Sequence, residues 1–406
     1  MSNINYPFEP IAHDVWVQQI QKELRDQAER IHFNDPIEGL TMNITEEPKV
    51  KVSIPSIESD NHTNHVHFER IQDEKESNRR MLLALMQGAD RLFIRIEKEQ
   101  VDWKIVFKDI QLAYIQTEIL LQHSVQLNEL HAQLSADELA HIHTLSDVLT
   151  HDLIEGTTAY FNGFELQQIG AHSIDELSLI LSAFHLHMSK SDESMVVFSV
   201  GMGASYFTQL AKIRSLHYLI QKLAAIHGIN AANYRIQAHI GWMNKSLADP
   251  YTNLLRQTSE AMSAFAGGVH GLIIHPWDEY AQEGTDDFTL RMAQNISNLL
   301  VEEAHFDWVQ DPMKGSRIVE VLTEQLIEKT WKRIQQLTDM DESSMISSVM
   351  QSIEKTRQQR REQWTSGEKK LIGIHSHLNE DLSKAKTWGK LPSYFGKEYI
   401  IAEKKN

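Results

Sequence analysis

Apolar and polar positions along this 406-residue chain alternate between two periods. Short runs rich in β-branched and aromatic residues fall at 65–71 (HVHFERI), 91–96 (RLFIRI), 115–121 (IQTEILL) and 157–164 (TTAYFNGF). Four more follow at 195–200 (MVVFSV), 234–240 (YRIQAHI), 271–275 (GLIIH) and 307–310 (DWVQ). Each is about as long as a buried strand. Between them the period becomes helical: Leu177, Ile180, Leu181 and Phe184 stand at i, i+3, i+4, i+7, as do Leu216, Leu219, Ile220 and Leu223. Boundary residues agree. Ser135 with Glu138 and Ser173 with Glu176 read as capping boxes, Asp249-Pro250 as an N-cap with an N1 proline, and Gly228 as a left-handed helix end.

Eight strands, each followed by a helical segment, predict an α/β fold of the (β/α)8 TIM-barrel type over residues 61–340. A doubly wound open sheet would need a topological switch point and a glycine-rich phosphate turn. No G-x-G-x-x-G occurs, and Gly201-Met202-Gly203 lacks the third glycine. Residues 1–60 read as an N-terminal extended and helical arm. It has one amphipathic pattern (Val15, Trp16, Ile20, Leu24) and a poorly packed stretch, EEPKVKVSIPSIESDN. Residues 341–406 read as a short helical extension with a polar, lysine-rich tail.

Charge narrows the picture. With 39 basic and 56 acidic side chains the net charge is −17, which repels nucleic acid and anionic lipid. The densest basic cluster, Arg357 to Arg361, is flanked by Glu354 and Glu362 and reads as a solvated helix face. Cysteine is absent, which excludes disulfides, iron–sulfur clusters, thiolate zinc sites and a cysteine nucleophile. There is no run of eighteen apolar residues, and MSNINYPFEP lacks the basic flank and apolar core of a secretory signal, so a cytoplasmic protein is expected.

In a (β/α)8 barrel, chemistry sits at the C-terminal ends of strands. His67, Arg95, Phe164, Glu165, His239, His275 and Asp311 lie at or near such ends. His65-Val66-His67 puts two imidazoles on one face of the first strand. With His239 on the sixth predicted strand and Asp311 on the eighth, it resembles the ligand pattern of the amidohydrolases. That implies a metal-dependent hydrolase whose zinc activates water. Against it, His-x-His recurs at His141/His143 and His185/His187, both in helical contexts, and the fourth and fifth predicted strands lack the expected lysine and histidine. Gly315-Ser316 opens the helix after the eighth predicted strand, after Asp311-Pro312 and Lys314. A phosphate could bind there, but Ser316 as a plain helix cap is the preferred reading.

Several strings in order carry a second resemblance. They are Gly163-Phe164-Glu165-Leu166-Gln167-Gln168-Ile169-Gly170-Ala171 with Asp175-Glu176-Leu177; Ala211-Lys212-Ile213-Arg214; and Asp249-Pro250-Tyr251-Thr252-Asn253-Leu254-Leu255-Arg256-Gln257-Thr258 with Gly267-Gly268 and His275-Pro276-Trp277-Asp278-Glu279. Then come Arg291-Met292-Ala293-Gln294-Asn295, Asp311-Pro312-Met313-Lys314-Gly315-Ser316 with Glu320 and Leu322-Thr323, and finally LIGI at 371–374. Over residues 160–374 the chain resembles the acyl-CoA-binding barrel of the methylmalonyl-CoA mutases.

The departures from that family set the functional expectation. The resemblance implies that catalytic members hold adenosylcobalamin in a downstream flavodoxin-like domain through D-x-H-x-x-G. Here the nearest string, Asp60-Asn61-His62-Thr63-Asn64-His65, ends in histidine and precedes the barrel, and LIGI lies close to the end of the sequence. Where catalytic members carry a Tyr-His pair that positions substrate and donates to the thioester carbonyl, this chain has Phe164 and Glu165. Glutamate is an acceptor-only anion when ionised. Beside a malonyl carboxylate about 4 Å away it would be repelled by roughly 4 kcal/mol. The resemblance therefore implies the small, non-catalytic subunit of a heterodimeric methylmalonyl-CoA mutase. Its catalytic large subunit would hold adenosylcobalamin and interconvert methylmalonyl-CoA and succinyl-CoA. This chain would bind no cofactor, wrap its partner with the 1–60 arm and pair with itself when alone. Another arrangement is a catalytic barrel working with a cobalamin domain on a separate chain.

Overall fold

A computed structural model of the chain describes residues 11–25, 32–43, 46–49, 52–54, 63–189, 195–229, 233–378 and 385–402. The expected barrel is there. Eight parallel strands, β1 (Thr63–Ile71), β2 (Arg91–Ile96), β3 (Gln116–Leu121), β4 (Ile142–Asp147), β5 (Thr158–Asn162), β6 (Val196–Gly201), β7 (Tyr234–Ile240) and β8 (Gly271–Ile274), pair in sequence order. β8 returns to β1 with Gly271 opposite Thr63 and Ile273 opposite Val66. The two-residue alternation sorts each strand into an axial and an outer face. Val66, Phe68, Phe93, Leu120, Leu145, Tyr160, Val197 and Ile273 meet on the axis. Ile71, Leu92, Ile94, Ile96, Ile119 and Leu121 pack outward on the helix layer of the first half.

Seven of the eight predicted strands are real and one is misplaced. DWVQ at 307–310 is a run of bends, with Trp308 72% and Val309 60% exposed. Since β8 already pairs with β1, the closed barrel has no place for it. The missing strand is β4, IHTLSD, which polar residues disguise: Ser146 and Asp147 are buried and hydrogen-bonded. The run at 157–164 is therefore the fifth strand and His239 lies on the seventh. His143 is on a strand, not a helix.

Long helices, Ser173–Met188, Tyr206–Ile226, Thr252–Gly267 and Arg317–Thr338, cover the second half of the barrel. The predicted stripes at Leu177, Ile180, Leu181 and Phe184 and at Leu216, Leu219, Ile220 and Leu223 are buried. The Ser135–Glu138 capping box is present. Ser173 is the first helical residue rather than a cap, because the His172 ring accepts from the Asp175 N–H at 3.0 Å. Asp249-Pro250 precede a helix that begins at Thr252. Gly228 takes φ +78° beyond the Tyr206–Ile226 helix.

The flanking segments pack more closely than their polarity predicts. A hairpin, His32–Asp35 with Leu40–Asn43, lies on the Arg317–Thr338 helix, where Leu40 meets Leu322 and Leu326. Val52, in the stretch read as poorly packed, is buried, and its carbonyl accepts from Arg214 at 3.0 Å. The helix His13–Leu24 buries none of its residues, although Arg317 lies over the Trp16 ring. Much of the remaining 1–60 arm lies outside the described residues.

The basic cluster is not a solvated face. Arg357 and Arg360, on the helix Glu342–Ser366, are buried. Arg357 donates to the carbonyls of Ile169 and Glu398, and Arg360 to those of Gly170 and Ala171 and to Glu38. Carbonyls at the end of the short helix Gly163–Gln168 lack helical partners, and a five-donor guanidinium fits them. From there the tail folds back over the barrel. The Ile400 N–H donates to the Gln168 carbonyl at 3.0 Å and the Ala402 N–H to that of Met243 at 2.8 Å.

Candidate functional site at the barrel mouth

β5 ends at Asn162, and the helix Gly163–Gln168 starts at once. Asn162 caps it by accepting from the Glu165 N–H at 3.3 Å. This tight turn sets Phe164 and Glu165 at the C-terminal end of the axis, where Arg95 from β2, His239 from β7 and His275 after β8 converge. Five of the seven residues singled out from sequence thus come together.

The two aromatic positions stack. Phe164 lies 4.5 Å from the His239 ring centroid and 5.0 Å from that of His275, nearly parallel to the latter. The imidazoles form a relay: His239 Nε2 is 3.4 Å from the Tyr160 hydroxyl, its Nδ1 3.1 Å from His275 Nε2, and His275 Nδ1 3.2 Å from Glu279. Burial first, then neighbouring His275 and Arg95, push His239 well below the usual histidine range, so it is neutral at pH 7.

Glu165 is closed off. Arg95 pairs with one carboxylate oxygen and the Tyr399 hydroxyl donates to the other. Burial opposes the Arg95 charge, but the Glu165 carboxylate holds it well above its ordinary value. Burial, reinforced by Glu165, likewise keeps the Tyr399 phenol protonated. Beside it, Asp147 accepts from Asn162 at 2.9 Å and Tyr394 at 3.0 Å. Burial pushes Asp147 up to about 6. The cavity left at the mouth is about 10 Å³, roughly one water molecule. At the opposite end of the axis, Glu118 is held by Arg235 at 2.9 Å and Arg91 at 3.7 Å, with Gln237 donating to it.

The remaining candidates lie elsewhere. His67 is on the outer face of β1, 3.2 Å from Glu69, which accepts from Ser77. Val66 takes the axis, so His67 points away from His239. The His65 side chain and the Asp60–His62 string lie outside the described residues. Asp311 is in the loop before the Arg317–Thr338 helix, 3.3 Å from Arg214. Among the described residues, no group of three or more histidines and carboxylates could hold a metal. At Gly315-Ser316 the Ser316 hydroxyl makes no cap bond; Glu320 accepts from the Gly315 N–H at 2.9 Å and fills that role.

The residues missed from sequence are Tyr394 and Tyr399 in the tail, with Trp242 and Tyr280 packed against Tyr399. The apolar run Tyr399-Ile400-Ile401-Ala402 was the available signal in a tail otherwise rich in lysine.

Outside the mouth, the strings singled out from sequence pair with one another. Lys212 reaches Glu176 at 2.9 Å, and Arg214 reaches Glu320 at 3.0 Å. Gln257 donates to the His275 carbonyl at 2.7 Å. Gly373, at φ +85°, lies so close to Asp249 that a Cβ would collide with its carboxylate.

Fold and site together define a closed (β/α)8 barrel whose axis is filled and whose second half carries a lattice of buried ion pairs. Residues 185–391 match the family described as methylmalonyl-CoA mutase, and the chain belongs to that family. It is 30% identical over 193 residues to the methylmalonyl-CoA mutase small subunit of Porphyromonas gingivalis, covering 46% of this chain and 31% of that one. It is 23% identical over 327 residues to the small subunit of Propionibacterium freudenreichii subsp. shermanii, covering 68% and 50%. Against the methylmalonyl-CoA mutase of Cereibacter sphaeroides the identity is 29% over 231 residues, covering 53% and 32%. The matched region thus spans between about a third and a half of these relatives' lengths. Among the described residues, no helix is long and apolar enough to cross a membrane.

Proposed function

We propose that this chain is a non-catalytic subunit of a two-subunit methylmalonyl-CoA mutase, supporting a catalytic large subunit that interconverts methylmalonyl-CoA and succinyl-CoA. The observation that carries this reading is the closure of Glu165 by Arg95 and Tyr399 at a mouth with room for about 10 Å³. A thioester carbonyl needs a hydrogen-bond donor beside it, and here Arg95 and Tyr399 both spend donors on Glu165. The small-subunit names of two relatives support the same assignment.

Adenosylcobalamin belongs, on this proposal, to the large subunit. The residues of this mouth do not suit it: Tyr399 and the tail behind it lie across the end of the axis. The helix His13–Leu24, with no buried residue, with Val15 exposed on it and Ile11 exposed just before it, is the segment proposed to pack against the partner. The test is co-expression with a large subunit, followed by size exclusion and a mutase assay with adenosylcobalamin. One-to-one co-elution and turnover only in the complex are expected. Turnover by this chain with only a free-standing cobalamin-domain protein would overturn the proposal and favour a catalytic barrel. Deleting residues 1–25 removes that helix but keeps the hairpin and Val52 that pack on the barrel, and should weaken association while leaving the barrel folded; an unchanged dissociation constant would remove the helix from the interface.

A further inference from the structure

Proton positions along the His239–His275–Glu279 chain follow from its outer end. Glu279 pairs with Arg70 at 2.5 Å, and Arg70 also reaches Glu97 at 3.3 Å. Burial opposes the Glu279 charge, but Arg70 and then the bond to His275 hold its carboxyl below the usual carboxylate range, so at neutral pH it only accepts. His275 Nδ1, 3.2 Å away, therefore carries a proton. A neutral imidazole has one N–H, so His275 Nε2 is bare and accepts from His239 Nδ1–H at 3.1 Å. His239 Nε2 is bare in turn and faces the Tyr160 hydroxyl at 3.4 Å. With both rings neutral, the chain donates one way, from the axis out to Glu279.

One further proton fits without breaking a contact. Taken up on His239 Nε2, it donates to the Tyr160 oxygen, and the Tyr160 proton turns to Ser199, which is within hydrogen-bond reach. The proton between the two rings then belongs to His239 or, after crossing 3.1 Å, to His275. The surroundings separate these placements. A charge on His239 is opposed by burial, by His275 and by the Arg95 guanidinium. A charge on His275 lies beside the Glu279 carboxylate and parallel to the Phe164 ring at 5.0 Å. The other titratable groups around the pair are Glu165, which is closed by Arg95 and Tyr399, and Tyr280, whose ring lies under Arg70. The count balances: one proton comes from water, one crosses between the rings, and the positive charge rests on His275.

We propose that His239 and His275 form a single pH-sensitive switch: added charge settles on His275 beside Glu279, while His239 stays neutral and moves its proton from Nδ1 to Nε2. The hydrogen bond between His239 and Tyr160 reverses with it, so a charge taken up at the Glu279 end is reported on the barrel axis. The switch does not depend on the subunit assignment.

Long-range proton–nitrogen correlation spectra of the full-length chain, labelled with nitrogen-15 in its histidine rings and titrated between about pH 8 and pH 5, test this. At the upper end both rings should carry their proton on Nδ1. As pH falls, His275 should gain a second proton while His239 stays neutral and becomes the Nε2–H form, the two changes following one curve. The same curve is expected in Asp147→Asn, which removes the proton that Asp147 takes up near pH 6. Glu279→Gln keeps an acceptor oxygen but loses the charge, and should move both changes to lower pH by the same amount. Tyr160→Phe removes the acceptor for His239 Nε2–H and should act in the same direction. Both variants are checked for folding by circular dichroism, and the wild-type titration stands without them. The proposal is overturned if His239 takes the charge, if it keeps Nδ1–H while His275 charges, or if neither ring changes over the range. It is also overturned if the curve vanishes in Asp147→Asn or is unmoved in a folded Glu279→Gln.

Discussion

At the mouth, Glu165 faces the axis between Arg95 and Tyr399; on the flank, Glu176 faces the helix layer between β6 and Lys212. Both carboxylates are about 98–100% buried and both are ion-paired. They differ in where their partners come from. Glu176 and Lys212 sit inside the family strings and tie two helices to the Gly201 backbone, so that pair belongs to the scaffold. Glu165 occupies a position where the resemblance implies chemistry, and a tail residue outside those strings completes its shell. The flank keeps the family's architecture, while the mouth uses the same kind of interaction to fill a site.

The sharpest way to break the comparison is on the flank. Lys212→Ala leaves Glu176 buried and unpaired, and should cost about 3–5 kcal/mol in urea unfolding. Lys212→Met with Glu176→Leu should recover most of that loss; failure to recover would mean the pair does more than fill space.

Next comes the carboxyl beside the mouth. Burial raises Asp147 from 3.8 to about 6, so the native state binds the extra proton between those values. Its contribution to stability is complete below pH 3.8 and is lost as pH rises through 6. Relative to Asp147→Asn, the protein should therefore lose on the order of 2 kcal/mol between pH 4.5 and 7. A flat difference across that range would place Asp147 in a more polar setting.

Tyr399→Phe removes one donor from Glu165 but leaves Arg95, and should cost about 1–2 kcal/mol. It should also raise hydrogen exchange at Ile400 and Ala402, the amides that pin the tail. The smallest effect belongs to Arg79→Ala, whose pairs with Glu76 and Asp287 are solvent-exposed; a change within about 0.5 kcal/mol is expected.

The barrel was legible because most of its strands carry a short run of apolar, β-branched or aromatic residues and its long helices keep a 3.6-residue stripe. β4 was hidden because its inner end is polar, with Ser146 and Asp147 bonded to Thr157, Asn162 and Tyr394. DWVQ has the residue types of a strand, but strand pairing depends on partners elsewhere in the chain, and β1 and β8 had already found each other. At the mouth, Phe164 and Glu165 were locatable by their place among the family strings, and Arg95, His239 and His275 by their places at strand ends. Tyr399 was not, since 234 residues separate it from Glu165 and nothing local marks its destination. Arg357 and Arg360 were misread for the same reason: the carbonyls they satisfy belong to a helix nearly 190 residues earlier.

The most direct test is the turnover of methylmalonyl-CoA by the complex with a large subunit, comparing this chain with its Glu165→Ala variant. A filled, non-catalytic mouth predicts rates within about twofold, under 0.5 kcal/mol of activation free energy. A loss of a hundredfold or more, with the complex still assembled, would contradict it and make Glu165 part of the chemistry.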